Sequence, residues 1–314
     1  MAAILGITFP IYAALALGYV TVARGWFARA DMKVLGFYVV NIAMPALLFR
    51  AIAARPLAEI AVPGYLLAIL ASALVTMALA FGWFTLTAPD KARRAVAVMG
   101  AVCPNSGFVG YPLMLLVLPD LAGLVLALNM LVENVVVIPL CLILLDLTRP
   151  RDEVRIGALI GRILLDLMKR PMMIAIFAGL VFSALGLALP GPVDRFLSMV
   201  ANASAALALI VIGGSLVGLP MHGNRVMAVQ IAAAKLMLHP LVAVLVIAAL
   251  GLLAPGWLGA DMARAAVLSA AMPMMGIYTV LAQERGLEGA ASLALLFATS
   301  GAFVTLSVAL AWLG

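Results

Sequence analysis

Apolar residues fill this chain in long blocks, broken only by short charged or turn-rich stretches. A helix that crosses a bilayer needs about 20 mostly apolar residues, so blocks of this length predict membrane spans. They lie near 2–22, 34–54, 63–86, 94–117, 121–145, 171–190, 194–218, 226–253, 262–282 and 288–313. The first block has no Lys or Arg before Arg24. A cleavable signal peptide carries its positive charge ahead of the apolar stretch, so the block reads as the first span. The pattern predicts an all-α polytopic membrane protein of ten transmembrane helices.

Composition removes the other classes. Of 314 residues, 67% are hydrophobic and 10% are charged. A soluble domain has about 45–50% apolar and about 25% charged residues, and a fold this apolar could not cover itself with polar surface. A soluble enzyme, a disordered protein and a secreted disulfide scaffold are therefore excluded. The net charge of +6 does not indicate nucleic acid, because the basic residues sit in loops between apolar blocks. Fourteen of the 19 Lys and Arg fall in alternate loops, against four on the opposite side (Arg50, Arg55, Arg195 and Arg264). The positive-inside rule then puts the basic loops in the cytoplasm and both termini outside, in a cell inner (plasma) membrane. The segment 147–170 reads as an amphipathic cytoplasmic linker resting on anionic lipid. Cys103 and Cys141 both lie within apolar blocks, where they read as small packing residues.

An offset of 169 residues places Pro104 on Pro273 and superimposes the first five spans on the last five. The fourth span of each half opens with an Arg (Arg94, Arg264), followed nine or ten residues later by that proline. Five spans is an odd number, so the second half enters the membrane inverted. The expected organisation is 1–146, a linker over 147–170, and an inverted repeat over 171–314. Inverted repeats with interrupted helices at matching positions point to a secondary transporter.

The polar chemistry is concentrated at those interruptions. Residues 103–114, CPNSGFVGYPLM, hold two prolines, two glycines, an Asn and a Ser in mid-span. Proline inside a helix costs about 3 kcal/mol or more, and freed backbone groups are tolerated in a membrane only where they line a protein cavity. The fourth helix is expected to break at Pro104 and Pro112, with Asn105 or Ser106 capping its second half and Asn105, Ser106 and Gly107 as candidate substrate contacts. A half-helix N-terminus offers unpaired N–H groups and partial positive charge, which suits a carboxylate. The partner stretch AMPMMGIYTVLAQERG, 271–286, is expected to break the ninth helix at Pro273, with Gly276 and Tyr278 near the ligand. Asn41, one turn before Pro45, is a further candidate substrate contact.

Ionisable groups inside spans are few, and each is a candidate for ion coupling. Glu133 could carry a proton or ligate a cation beside Asn129 or Asn134. Lys235 and His239, four apart, share a helix face. Lys235 reads as a counter-ion for Glu133 or for substrate, or as a fixed charge in place of sodium. His239, next to Pro240, also suits a structural role. No metal site and no cofactor is indicated. There is no phosphate-binding G-x-x-x-x-G-K-[ST] loop and no H-E-x-x-H. Two other readings stay open. One is a cation/proton antiporter exchanging on Glu133; the other is an intramembrane serine protease built on the GGS at 213–215 with His239.

Pro104-Asn105-Ser106, followed by Gly110, Pro112 and Leu113, resembles the P-N-[ST]-x-x-x-G-x-P-L crossover of the auxin efflux carrier family. MPALLF at 44–49 resembles that family's second helix, and the step from Pro273 to Glu284 its ninth. The resemblance implies a carrier with crossed, broken helices four and nine. An organic anion would bind beside the crossing, its carboxylate on Asn105, and be exposed alternately to each side. The chain lacks the long hydrophilic central loop of the plant carriers and has Met274 after Pro273. In this it is similar to short bacterial members, among them malonate and malate carriers. The resemblance thus implies a small dicarboxylate substrate with a proton or sodium as coupling ion. Membrane lipid, and possible pairing as a homodimer, complete the expected partners.

Overall fold

The structure is a computed structural model that describes residues 2–148, 161, 165–220 and 222–313. Among them every regular element is helical and there is no strand. In hydrocarbon each backbone N–H and C=O must be paired within the protein, and a helix does this within one segment. The helices are α1 (Ala2–Ala23), α2 (Arg29–Ala53), α3 (Pro63–Thr87), α4 (Lys91–Val102), α5 (Ser106–Val117) and α6 (Ala122–Asp146). They continue with α7 (Pro171–Ala184), α8 (Gly191–Ser215), α9 (Arg225–Leu253), α10 (Ala260–Ala271), α11 (Tyr278–Gln283) and α12 (Glu288–Leu313).

Among the described residues seven helices are long and apolar enough to cross a membrane: α1, α2, α3, α6, α8, α9 and α12. The expected fourth and ninth spans are each two short helices, α4 with α5 and α10 with α11. The expected sixth span, 171–190, stops at Ala184. There Gly186, at φ 62°, lets the chain turn back so that Gly186 N–H meets the Ser183 carbonyl and Leu187 N–H the Phe182 carbonyl. This is a Schellman ending, which the sequence pattern of apolar residues alone does not reveal. Of the expected linker, 149–160 and 162–164 lie outside the described residues.

Among the described residues four helices contain a five-residue π-helical turn: Val39–Ala43 in α2, Ser106–Gly110 in α5, Glu133–Val137 in α6 and Ala234–Leu238 in α9. Each is followed, at the second residue, by a proline: Pro45, Pro112, Pro139 and Pro240. The cause is local. Proline has no N–H to give and its ring presses on the carbonyl four residues back. The ladder widens instead, and Met44, Ile138 and His239 each donate to the carbonyl five residues earlier. A widened turn of this kind is a recurrent feature of functional sites in helices.

Contacts divide the chain into two units. The first comprises Met1–Pro63, Ser106–Leu131 and Asp166–Gly218; the second comprises Gly64–Asn105, Val132–Leu165 and Leu219–Gly314. In the first unit α1 packs along α8, and α2 packs on α7 and α8. Glycines allow α1 and α8 to meet backbone to backbone, since a Cβ on Gly18 would strike the Ile210 carbonyl and one on Gly213 the Leu15 carbonyl. Small residues serve this purpose in membranes, where lipid tails compete with side chains for apolar contact. Phe49 and Phe182 meet edge to face, 5.6 Å between centroids, where α2 crosses α7. In the second unit α9 packs on α10 and α12, while α4 packs on α9, α11, α12 and the second half of α6. The outer surface is apolar: Leu86, Leu252, Leu253, Trp26 and Met199 are all exposed.

The glycine contacts make a stability prediction. Gly213→Ala forces a methyl into the Leu15 carbonyl, whereas Gly6→Ala meets nothing within 4 Å. Thermal unfolding of the purified protein in detergent should show Gly213→Ala lowering Tm by about 5 °C or more, and Gly6→Ala by about 1 °C or less.

Candidate functional site

The second unit brings the two helix interruptions together. α4 ends at Val102 and α10 at Ala271, and the residues beyond them run extended and antiparallel, with Pro104 opposite Met274. Asn105 N–H donates to the Pro273 carbonyl at 2.8 Å, and Met275 N–H donates to the Cys103 carbonyl at 3.3 Å. Two prolines deny both segments a helical ladder, and each segment supplies the other's missing partners. Pro104, Pro273, Met274 and Asn105 are all buried.

Lys235 completes this junction. It stands in the π turn of α9, is wholly buried, and its Nζ donates to the Ala270 carbonyl at 2.6 Å. Ala270 is in the last turn of α10, where carbonyls have no intrahelical donor and carry partial negative charge. The ammonium therefore caps a helix end that proline has left open. Its second hydrogen bond, 3.0 Å, is to Nδ1 of His239. An ammonium donates here, which places the imidazole's own proton on Nε2. The expectation that residues 235 and 239 share a helix face is met through this bond. Glu133, buried in the π turn of α6, and Cys103 lie within electrostatic reach of Lys235.

Tyr278 opens α11 and is wholly buried. Its ring lies against α4 at Gly100, where a Cβ would come within 2.9 Å of the hydroxyl. That hydroxyl has no hydrogen-bond partner among the described residues. Gly276, half-buried, forms the turn before α11, and its carbonyl accepts from Thr279 Oγ1 at 3.2 Å. Cys103 and Cys141 are both reduced and pack against each other with sulfurs 3.7 Å apart.

The remaining candidates fall in the first unit. Ser106 and Gly107 begin α5 and are buried, with Gly107 against the thioether of Met44. Pro112 lies inside the continuous helix Ser106–Val117 and accounts for its π turn; the gap in the chain is at 103–105. Asn41 is half-buried in the π turn of α2, and its amide donates to the Phe37 carbonyl of the same helix at 2.9 Å. Among the described residues no group of three His, Cys, Asp or Glu could hold a metal ion.

Two features went unread in the sequence. One is that five of the residues singled out there, Asn41, Ser106, Gly107, Glu133 and Lys235, occupy π turns. The signal was available as a proline four to six residues after each. The other is Arg285, which donates to the Leu145 carbonyl at 2.9 Å and pairs with Asp146 at 3.6 Å, tying the loop after α11 to the end of α6. Nothing in the spacing of 285 and 146 announces that contact.

Comparison with known proteins agrees with this picture of a membrane carrier. A family model described as membrane transport protein matches residues 3–310. A protein of Rhizobium meliloti (strain 1021) named "Putative malonate transporter" is 28% identical over 291 residues, covering 91% of this chain and 88% of the relative. The "Uncharacterized transporter YfdV" of Escherichia coli (strain K12) is 26% identical over 214 residues, 67% of each chain.

The capping role of Lys235 is testable through stability. Lys235→Met keeps the side chain's length and removes the donor, leaving the Ala270 carbonyl buried and unpaired. The expected cost is about 1–3 kcal/mol, read as a lower unfolding midpoint of the purified protein. A midpoint unchanged from wild type would refute the cap.

Proposed function

The chain belongs to the membrane transport protein family, the auxin efflux carrier family that its motifs resemble, and we propose that it is a secondary active transporter of a small dicarboxylate such as malonate. The observation that carries this reading is the pairing of the two interrupted segments at Pro104 and Met274. Irregular backbone at membrane depth is tolerated only in contact with protein or a watery cavity, and in transporters it marks the substrate site. The substrate class is supported by the relative named as a malonate transporter, which aligns over nine-tenths of this chain.

In the proposed site Asn105, at the first interruption, meets one carboxylate. Tyr278, whose buried hydroxyl has no partner among the described residues, is the matching donor from the second interruption. Glu133 is the proposed coupling group. Lys235 holds the junction as a fixed positive charge beside it, and His239 supports Lys235. The two halves, 1–146 and 171–314, act as an inverted pair that exposes the site to each side in turn, with the basic loops in the cytoplasm.

Purified protein in proteoliposomes should accumulate labelled malonate under an inward proton or sodium gradient. Asn105→Ala should reduce uptake about tenfold or more, the loss expected for a hydrogen bond to a charged group. Glu133→Gln should abolish dependence on the gradient. Absence of malonate uptake under either gradient would overturn the reading. Cation-for-proton exchange that survives Asn105→Ala and fails in Glu133→Gln would replace it with an antiporter.

A further inference from the structure

The first unit contains a cavity of about 490 Å³ that the paired interruptions do not use. Its polar lining is Arg50, Arg55, Glu59, Tyr111, Asp120 and Asn202, and Leu47, Ala51 and Leu115 form an apolar wall. The two guanidinium groups are held differently. Arg50 is locked by Asp194 in a two-point pair, Nε–Oδ1 2.5 Å and a second bond of 3.1 Å. That geometry satisfies Asp194 and fixes the orientation of Arg50.

Arg55 is anchored through its backbone, whose carbonyl accepts from Ser183 Oγ at 2.6 Å. Its guanidinium donates to the backbone carbonyl of Asp120. Its only carboxylate partner among the described residues is Glu59, at 3.6 Å, and the Glu59 side chain is 58% exposed against 24% for Arg55. An exposed pair at this separation contributes little. A better-placed carboxylate can therefore displace Glu59 at small cost. The first turn of α6, at Gly123 and Leu124, also lines the cavity and adds the partial positive charge of a helix N-terminus.

We propose that this cavity is a binding site for an organic carboxylate. The incoming carboxylate takes the place of Glu59 on Arg55, and its apolar body lies against Leu47, Ala51 and Leu115. The ligand class rests on the organic-anion reading above, while the residues are separate from the paired interruptions.

The test is calorimetric binding to the purified full-length chain, with benzoate as probe and benzamide as its uncharged counterpart. Benzoate should bind and benzamide should not. Arg55→Gln should raise the benzoate Kd about tenfold or more, because a charge-assisted pair is lost. Glu59→Gln should lower it about threefold, because a competing carboxylate is removed. A merely structural Arg55 would not predict that tightening, and Glu59 is exposed enough for its variant to fold. The proposal is overturned by no benzoate binding, by equal binding of benzamide, by a Kd that neither variant moves, or by loss of the signal in Asn105→Ala. Binding that follows the two variants, in a chain that takes up no malonate, would leave this site standing and remove the carrier reading.

Discussion

An open helix end inside a membrane has to be satisfied by the protein itself, and the second unit is organised around one such end. α10 stops at Ala271 because Pro273 follows, and its last carbonyls have no donor within the helix. The Lys235 ammonium meets the Ala270 carbonyl, and the strand-like pairing of Pro104 with Met274 absorbs the adjoining donors and acceptors. A buried charge is costly unless it is paired. Here the charge and the open helix end each remove the other's cost, so each explains why the other is tolerated.

The prolines organise more than the gaps. Four of them sit two residues past a π turn, and in each case the turn places a polar residue where the helical ladder is widened. Glu133 and Lys235 both gain their buried positions in this way. Glycine does the complementary work: Gly100 admits the Tyr278 ring against α4, and Gly107 admits the Met44 thioether against α5. Helix breakers and small residues thus create the room that the polar groups occupy.

Much of this was legible in the sequence, for a physical reason. Hydrocarbon imposes a length on every span, so apolar blocks bounded by charge located α1, α2, α3, α6, α8, α9 and α12 to within a few residues. The interruptions at 104 and 273 were legible because proline acts locally. What was not legible depends on contacts between distant residues. The carbonyl that Lys235 reaches is 35 residues away, and Arg50 meets Asp194 across 144. The Arg50 pairing makes a residue that the sequence offered only as a topology signal into the rigid edge of a cavity. Asn41 likewise makes a bond that its position before Pro45 did not announce, from its amide to the Phe37 carbonyl of its own helix.

The hydrogen-bond count at Lys235 narrows what that residue can do. An ammonium has three donors; one goes to Ala270 and one to His239. The bond to Ala270 ties α9 to α10, and the bond to His239 sets the direction of the side chain along α9. The geometry thus makes Lys235 part of the frame that holds the paired interruptions together.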